Sequence, residues 1–220
     1  MDVIGGNYVV GGFDSIPRVT SIISHWLGED YDGVPRHVLD KASARGSAAE
    51  AYMAWLLSGK TPTAEDWGKW NEYLAEWDAD QHATQISFGL VEIQSKTPFK
   101  LAAFHEKVIG YVPGEDGKPL LYAGELDFAI DRALDPLQPP QPETWDLKCT
   151  SKLNRKKVAL QATAYSMARE SAPMSDVYAE NITNVAIHVT KNSFKLVELE
   201  RMDEEWIQAV RKYYEQRRWQ

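Results

Sequence analysis

The stretch from Gly124 to Tyr165 contains the side chains whose types and spacing could carry out chemistry. Its acidic groups include Asp127 and Asp146, and Lys148 follows the second of these by two residues. Mg²⁺ prefers oxygen ligands and keeps some of its waters, so two or three carboxylates are enough to hold it. Such an ion neutralises charge on a transferring phosphoryl group and generates hydroxide near neutral pH. These residues therefore predict a site that hydrolyses a phosphodiester, in which Lys148 orients or deprotonates the attacking water.

Two predicted strands would position the acidic groups. From residue 120 to residue 130 the even positions are mainly apolar and the odd positions carry acidic residues, so Asp127 is expected on the face opposite the apolar stripe. In the second strand, residues 144–150, Asp146 and Lys148 share one face because they are two positions apart. The metal-binding and cationic side chains are thus expected on neighbouring strands.

A helix is expected directly after these strands, from about Arg155 to Arg169. Its expected buried stripe consists of Leu160, Ala164 and Met167. Gln161 and Tyr165 lie four residues apart on a different face, which places their side chains next to each other. From that face they would reach the substrate or Lys148.

Each of these features also has a common structural explanation. An Asp-x-Lys sequence on a strand is usually a surface ion pair, and a Gly-x-x-Asp sequence is a weaker signal still. A Gln and a Tyr four residues apart are often only a polar helix face. All of these features in order, on a strand, a second strand and a helix, would seldom occur together by chance. No single feature predicts the site, but the combination does.

Helical spacing and alternation predict the remaining elements. The further helices are residues 19–27, a helix from near 38 to 57, a Trp-rich helix after a cap at 63–66, and a final helix from 203. The further strands are a short one between the glycine pairs at 5–6 and 11–12, β-type alternation from 85, a strand at 99–111 and a hairpin at 185–199. Such alternation favours one α/β domain over two. The expected domain spans residues 1–220, with a helical segment at 15–28, a core at about 38–200 and a C-terminal helix at about 203–218.

Composition limits the class of protein. The chain has 44% hydrophobic residues, no basic leader before an apolar run and no long apolar stretch, so neither a signal peptide nor a membrane span is expected. Its single cysteine, Cys149, excludes an internal disulfide and any iron–sulfur cluster that needs several cysteines of this chain. A reducing cytoplasm is the expected location. The net charge of -8 argues against a general nucleic-acid coat, although basic residues are bunched between Lys148 and Lys157.

The three motifs resemble those of a known family. Gly124-x-x-Asp127, Asp146-x-Lys148 and Gln161-x-x-x-Tyr165 are similar to the motifs of the PD-(D/E)XK nuclease superfamily, specifically its RecB-type exonuclease branch. Upstream, residues 17–23 and 45–50 resemble N-terminal segments of phage-encoded members. The resemblance implies a restriction-endonuclease-like core, an α/β fold with a central mixed sheet flanked by helices. It also implies dependence on Mg²⁺ or Mn²⁺ and the processing of DNA ends.

The resemblance also implies roles outside the three motifs. Many RecB-type members have a histidine metal ligand at the place of Glu50, and a carboxylate is an equally good ligand for Mg²⁺, so Glu50 is the expected third acidic ligand. Glu106 is the second candidate, and the main-chain carbonyl of Leu147 is a further expected ligand. The residues expected to contact DNA are Arg45 and Ser47 and, because they follow Lys148, the basic residues Lys152, Arg155, Lys156 and Lys157. Found alone, this basic cluster would be interpreted as a solvated turn. Without the resemblance, the Arg45 and Glu50 pair would be interpreted as a solvated edge.

The expected function is that of a metal-dependent DNA exonuclease in end-processing, recombination or phage DNA metabolism. Its expected catalytic residues are Asp127, Asp146, Lys148, Gln161 and Tyr165. The alternatives are a structure-specific endonuclease or junction resolvase, a non-catalytic DNA-binding module, and a nuclease acting on RNA. Expected partners are single- or double-stranded DNA ends, with a single-strand-annealing protein or a helicase as a candidate protein partner and no membrane. The location would be the host cytoplasm if the protein is phage-encoded. The histidines at positions 25, 37, 82, 105 and 188 are expected to be structural or solvent-facing.

Overall fold

A five-stranded sheet forms the centre of the structure, a computed structural model that describes residues 2–4, 7–10, 13–28, 33–134, 137–171 and 181–217. The strands are β4 (Phe99–Pro113), β5 (Pro119–Arg132), β6 (Gln141–Lys148), β7 (Thr183–Thr190) and β8 (Ser193–Leu199). They lie in that order, and β6 and β7 are parallel whereas the other neighbours are antiparallel. The sheet is therefore mixed, as expected.

Helices cover both faces of this sheet. They are α1 (Val19–Leu27), α2 (Arg36–Leu57), α3 (Ala64–Glu76), α4 (Asp80–Lys96), α5 (Arg155–Glu170) and α6 (Asp203–Arg217). One hydrophobic cluster joins α2, α3 and α4 to one face, and another joins α1, α5 and α6 to the opposite face. The predicted α/β class is confirmed. No helix in the described ranges is long and apolar enough to cross a lipid bilayer.

A small antiparallel sheet precedes α1. It consists of β1 (Asp2–Ile4), β2 (Asn7–Val10) and β3 (Phe13–Pro17). Tyr8 and Ile16 are buried against Ala123 of β5, so this sheet packs against the first half of that strand. The strand predicted between the glycine pairs is confirmed as β2, while the pairs themselves lie outside the described residues, as does residue 218 of the predicted last helix.

Local sequence signals fix several helix boundaries. Helix α1 begins and ends where the apolar spacing predicts, and Gly28 closes it with a left-handed φ of 65°. At α3, Thr63 and Asp66 form a reciprocal capping box, in which each side chain accepts a hydrogen bond from the other's backbone N–H. These caps satisfy backbone groups that a helix end would otherwise leave unpaired.

The β-type alternation predicted from Gln85 is wrong, because this segment is part of helix α4. Ile86 and Leu90 are buried in the core as one helical face, whereas Phe88 between them is 71% exposed. An exposed aromatic residue at the intermediate position produced the apparent period of two.

The predicted single apolar stripe on β5 is also wrong. Tyr122 and Leu126 pack with α1, α5 and α6, but Phe128 and Ile130 pack with α2 and α4. The apolar positions therefore change faces around Asp127. The paired strand β4 is irregular in the same region, with a register shift between residues 101 and 103 and a positive φ at residue 105. Irregularities of this kind bend and twist a strand, which interrupts strict alternation.

The polar face predicted for α5 is buried. Helix α5 lies between the sheet and the pair α1 and α6, so its outer surface is covered as well. Gln161 and Tyr165 are accordingly only 8% and 3% exposed. They lie inside the protein, where a hydrogen bond between them is stronger than it would be at the surface.

Candidate active site

The site lies where two central strands separate. Backbone pairing between β5 and β6 begins at Arg132↔Gln141 and reaches Phe128↔Trp145, while β6 continues to Lys148 beside β7. Beyond that last pair, the Oδ2 atom of Asp127 accepts a hydrogen bond from the backbone N–H of Leu147 at 2.9 Å. The carboxylate thus takes the place of a strand partner. Since the N–H and C=O of one strand residue point to the same edge, the Leu147 carbonyl also faces this opening.

Asp146 and Lys148 form an ion pair on one side of β6. The Lys148 Nζ atom lies 2.6 Å from Asp146 Oδ2, and Asp146 is only 3% exposed. Trp145 and Leu147 pack on the opposite face, as the alternation predicted. Asp146 Oδ1 is buried and has no hydrogen-bond partner among the described residues. A buried carboxylate oxygen without a donor is an acceptor that a cation could use.

The site contains more acidic groups than basic ones, and this shifts the pKa values of its members. Burial raises the pKa of Asp127 well above its ordinary value, and the neighbouring Asp146 carboxylate raises it further. Burial also lowers the pKa of Lys148, but the carboxylates of Asp146, Asp127 and Glu50 outweigh this effect and leave the pKa above its usual range. Lys148 is therefore an ammonium group in this arrangement.

Glu50 reaches the site from α2. The small residues before it, Ala48 and Ala49, are fully buried, which lets the helix approach the sheet closely. Burial raises the pKa of Glu50, and its charge interacts with those of Asp146 and Lys148, so the carboxyl belongs to the same electrostatic cluster. The structure thus brings this predicted third acidic group to the other two.

Gln161 and Tyr165 form the inner wall of the site. The Gln161 Nε2 atom donates a hydrogen bond to the Tyr165 hydroxyl at 3.2 Å. Burial raises the pKa of Tyr165, and the charges of Asp146 and Asp127 raise it further, so the phenol stays protonated beside the carboxylates. A Cβ atom at Gly124 would lie 2.5 Å from Tyr165 Cε1. The glycine of the first motif is therefore required by the close approach of this ring.

Other predicted residues lie apart from this cluster. Glu106 pairs with Arg169 of α5, whose Nε atom is 3.2 Å from Glu106 Oε2. Arg45 is mostly buried, with its Nη1 atom 4.0 Å from a carboxylate oxygen of Asp78, and Ser47 is exposed on α2. The structure therefore favours Glu50 over Glu106 as the third acidic group, and it shows Arg45 directed towards another carboxylate.

The basic cluster surrounds the start of α5. Lys152 and Arg155 are exposed. Lys156 is paired with Glu205 of α6 at 2.8 Å, and the Asn154 side chain caps the helix by accepting a hydrogen bond from the backbone N–H of Lys157. The exposed members of the cluster lie only a few residues after Lys148, so they are the best placed to contact a polyanion.

Sequence reasoning missed His105 and Glu125, which lie beside the site. His105, expected to be structural or solvent-facing, lies between Glu50 and Glu125 and contacts both carboxylates. The signal that could have found it is strand register, because the pairing Glu106↔Leu126 puts residue 105 opposite the motif that contains Asp127. This pairing depends on the register shift of β4 between residues 101 and 103, which the sequence did not reveal.

The residues fit a divalent cation in their chemistry. No group of three or more His, Cys, Asp or Glu side chains in the described ranges is arranged as a complete metal site. However, Asp146 Oδ1 has no donor among those residues, and burial raises the pKa values of Asp127 and Glu50, which the nearby Asp146 carboxylate raises further. Carboxylate and carbonyl oxygens are the ligands that Mg²⁺ and Mn²⁺ prefer.

We expect the stability of the metal-free protein to fall as pH rises. The folded-state pKa of Asp127 lies above the ordinary value of 3.8, so the folded state binds a proton that the unfolded state releases. The stability gained is complete below pH 3.8 and is lost as pH rises through the raised pKa. Urea unfolding with chelator at several pH values should show this fall, and Asp127→Asn should flatten it. Asp40→Asn, on the exposed side of α2, is the control and should follow wild type; an equal slope in Asp127→Asn contradicts the prediction.

Comparisons with known proteins leave the family open. No family model matches the chain, and no curated protein matches it. Among solved structures, one described as "Crystal structure of SSO0001" is similar with a TM-score of 0.38 and 9% sequence identity, covering 77% of this chain and 85% of that chain. A similarity this low says nothing about what the chain does.

Proposed function

We propose that the chain is a Mg²⁺- or Mn²⁺-dependent DNA exonuclease of the PD-(D/E)XK type. The observation that carries the proposal is the cluster of buried Asp146 with the partly buried Asp127 and Lys148 at the point where β5 and β6 separate. Withdrawing two carboxylates and a lysine from water costs stability, and clusters of such groups with shifted pKa values occur preferentially at functional sites. The resemblance of the three sequence motifs to the RecB-type branch supports the same conclusion.

Asp127, Asp146 and Glu50 would hold the cation, together with the Leu147 carbonyl. A bound Mg²⁺ supplies charge neutralisation at the phosphate and a lowered pKa for the attacking water. The rest of the chemistry belongs to Lys148, which is an ammonium group in the structure. It would offset charge on the scissile phosphate and orient the attacking water by donating hydrogen bonds. The ion pair with Asp146 fixes the position from which it does so.

The covering helix would set the position of the DNA backbone. The hydrogen bond between Gln161 and Tyr165 fixes both side chains next to the carboxylates, where either could orient Lys148 or a phosphate oxygen. Lys152 and Arg155, exposed just beyond Lys148, would contact phosphates farther along the strand. The predicted contact by Arg45 would require it to leave Asp78.

The proposal is tested with end-labelled linear single- and double-stranded DNA, with covalently closed circles as the matched control. Incubation with Mg²⁺ or Mn²⁺ should shorten the linear molecules and spare the circles, and a chelator should stop the reaction. Cleavage of the circles would indicate the endonuclease or resolvase alternative instead. Binding without cleavage would indicate a non-catalytic module, and preferential degradation of a competing RNA oligonucleotide would indicate an RNA substrate. Absence of metal-dependent cleavage on every substrate would contradict the proposal.

The proposed setting follows from this activity. An enzyme that acts on DNA ends would work in the cytoplasm, or in a host cytoplasm if phage-encoded, where DNA is accessible to it. A single-strand-annealing protein or a helicase would be the partner that consumes or supplies the processed end. Pull-down with the catalytically inactive protein on a DNA end would test such a partnership.

A further inference from the structure

The backbone at His105 has an unusual conformation. Its φ is 51°, in the left-handed region that residues with a side chain seldom adopt. In a regular strand the rings of residues 104 and 105 would point to opposite faces. Here the two rings are stacked, with centroids 3.8 Å apart and planes 22° from parallel. The backbone conformation therefore turns the imidazole to the side of Phe104, which itself packs against Phe128 of β5. An outlier of this kind suggests that the orientation of the ring is needed.

Both ring nitrogens of His105 face carboxylates. The Nε2 atom lies 2.5 Å from Glu50 Oε1 on α2, and the Nδ1 atom lies 3.5 Å from Glu125 Oε1 on β5. Glu125 is two residues before Asp127 on the same strand. The imidazole thus connects the strand that carries Asp127 to the helix that carries Glu50.

Within the part of the chain that the structure describes, the Glu50 side chain is held by its contact with His105. Helix α2 brings it close to the site, but a glutamate has three rotatable bonds and loses entropy when it is held in one conformation. Its charge already interacts with those of Asp146 and Lys148. To serve as a metal ligand, the Glu50 carboxylate must also point towards the cation. Ligating carboxylates are commonly oriented in this way by hydrogen bonds from neighbouring side chains.

We propose that His105 is a positioning residue that orients the Glu50 carboxylate towards Asp127 and Asp146, with Glu125 fixing the opposite nitrogen of the ring. The inference rests on the proposed metal-dependent function and deepens it, since it makes Glu50 the third acidic ligand through a contact that no sequence motif contains. It also accounts for the positive φ of His105, because this conformation brings the ring against Phe104 and into reach of both carboxylates.

The test measures Mn²⁺ binding without DNA, by isothermal titration calorimetry, so that its readout does not depend on cleavage. His105→Ala removes the contact to Glu50 and should weaken Mn²⁺ binding by about 10- to 100-fold, the usual effect of losing a group that orients a metal ligand. His105→Gln keeps an N–H donor at about the position of Nε2 and should retain most of the affinity. His37→Ala, an exposed histidine in the first turn of α2, is the matched control and should bind as wild type does.

The outcomes separate this inference from the proposed function. Wild-type Mn²⁺ affinity in His105→Ala, with only a lowered melting temperature, would show that the contact is structural and would overturn the inference alone. Equal weakening in His105→Gln and His105→Ala, together with wild-type binding in Glu125→Gln, would mean that the imidazole is itself a ligand, which also overturns it. If wild type binds no Mn²⁺ and cleaves no DNA, the proposed function fails and the inference fails with it. Should His105→Ala not fold, Glu125→Gln decides instead: weakened Mn²⁺ binding supports the inference and unchanged binding overturns it.

Discussion

Lys148→Met is expected to reduce the rate of DNA cleavage by about 10²- to 10⁴-fold at saturating metal and DNA, the usual range for losing a group that moves a proton or stabilises charge in the transition state. Methionine keeps the length and apolar character of the lysine stem, so the change removes the ammonium group and little else. The loss should appear in kcat, because the lysine is expected to act on the reacting phosphate. Single-turnover cleavage of end-labelled DNA measures this rate without interference from product release.

The same substitution has a predictable effect on the neighbouring carboxylate. Lys148 Nζ is 2.6 Å from Asp146, so its removal leaves a buried acidic group without its cation. Thermal melting with and without Mn²⁺ therefore accompanies the kinetics, and added Mn²⁺ should restore more stability to the variant than to wild type. Lys118→Met is the control, since Lys118 lies in the turn between β4 and β5 with its Nζ 3.6 Å from Asp116. It should cleave at the wild-type rate. A Lys148→Met enzyme that keeps more than about a tenth of this rate would contradict the proposed role.

The shared face of Asp146 and Lys148 could be predicted because it depends only on local geometry. Side chains two positions apart on a strand point the same way whatever the rest of the protein does. The ion pair between them confirms that expectation. The same reasoning gave the ends of α1 and the cap of α3, where a few neighbouring residues decide the structure.

Alternation of apolar and polar residues gave wrong predictions for the segment around Phe88 and for β5. Phe88 is apolar but faces solvent, and Phe128 is apolar but packs on the face away from Leu126. In a regular strand residues 126 and 128 would share a face, so this change of face depends on the irregular pairing of β4 with β5, which the sequence does not show. The position of Asp127 relative to the apolar residues of β5 could not be obtained from the sequence for this reason.

The contribution of α2 and β4 to the site depends on contacts between elements distant in sequence. Glu50 is joined to His105 across 55 positions, and neither residue carries a local signal of that contact. The positive φ of His105 is likewise invisible in the sequence, since it occurs at a residue other than glycine. The resemblance to a family predicted Glu50 as a site residue, but the positions of His105 and Glu125 beside the site follow only from the register between β4 and β5.

Gly124→Ala is expected to destabilise the protein by about 1–3 kcal/mol, the usual cost of overpacking a core. The new Cβ atom would lie 2.5 Å from Tyr165 Cε1 and 3.2 Å from Val19 Cγ2. Neither neighbour can move away easily, because Tyr165 and Val19 are both buried in the cluster between the sheet and the helices α1, α5 and α6. The free energy of unfolding in urea measures the loss. Cleavage should fall as well, since displacing the ring breaks the hydrogen bond between Gln161 and Tyr165.

Gly68→Ala provides the matched control for this change. Gly68 lies within α3, and a Cβ atom there meets nothing within 4 Å, so the alanine should stabilise the protein by about 0.5–1 kcal/mol through its better helix propensity. The same substitution is thus expected to act with opposite sign at the two positions. The steric cause is tested by repeating Gly124→Ala in a Tyr165→Leu background, where no aromatic Cε1 atom remains and the alanine should cost less. An unchanged cost in that background would show that the clash with Tyr165 is not the cause, and that the glycine of the first motif is not required by the tyrosine of the third.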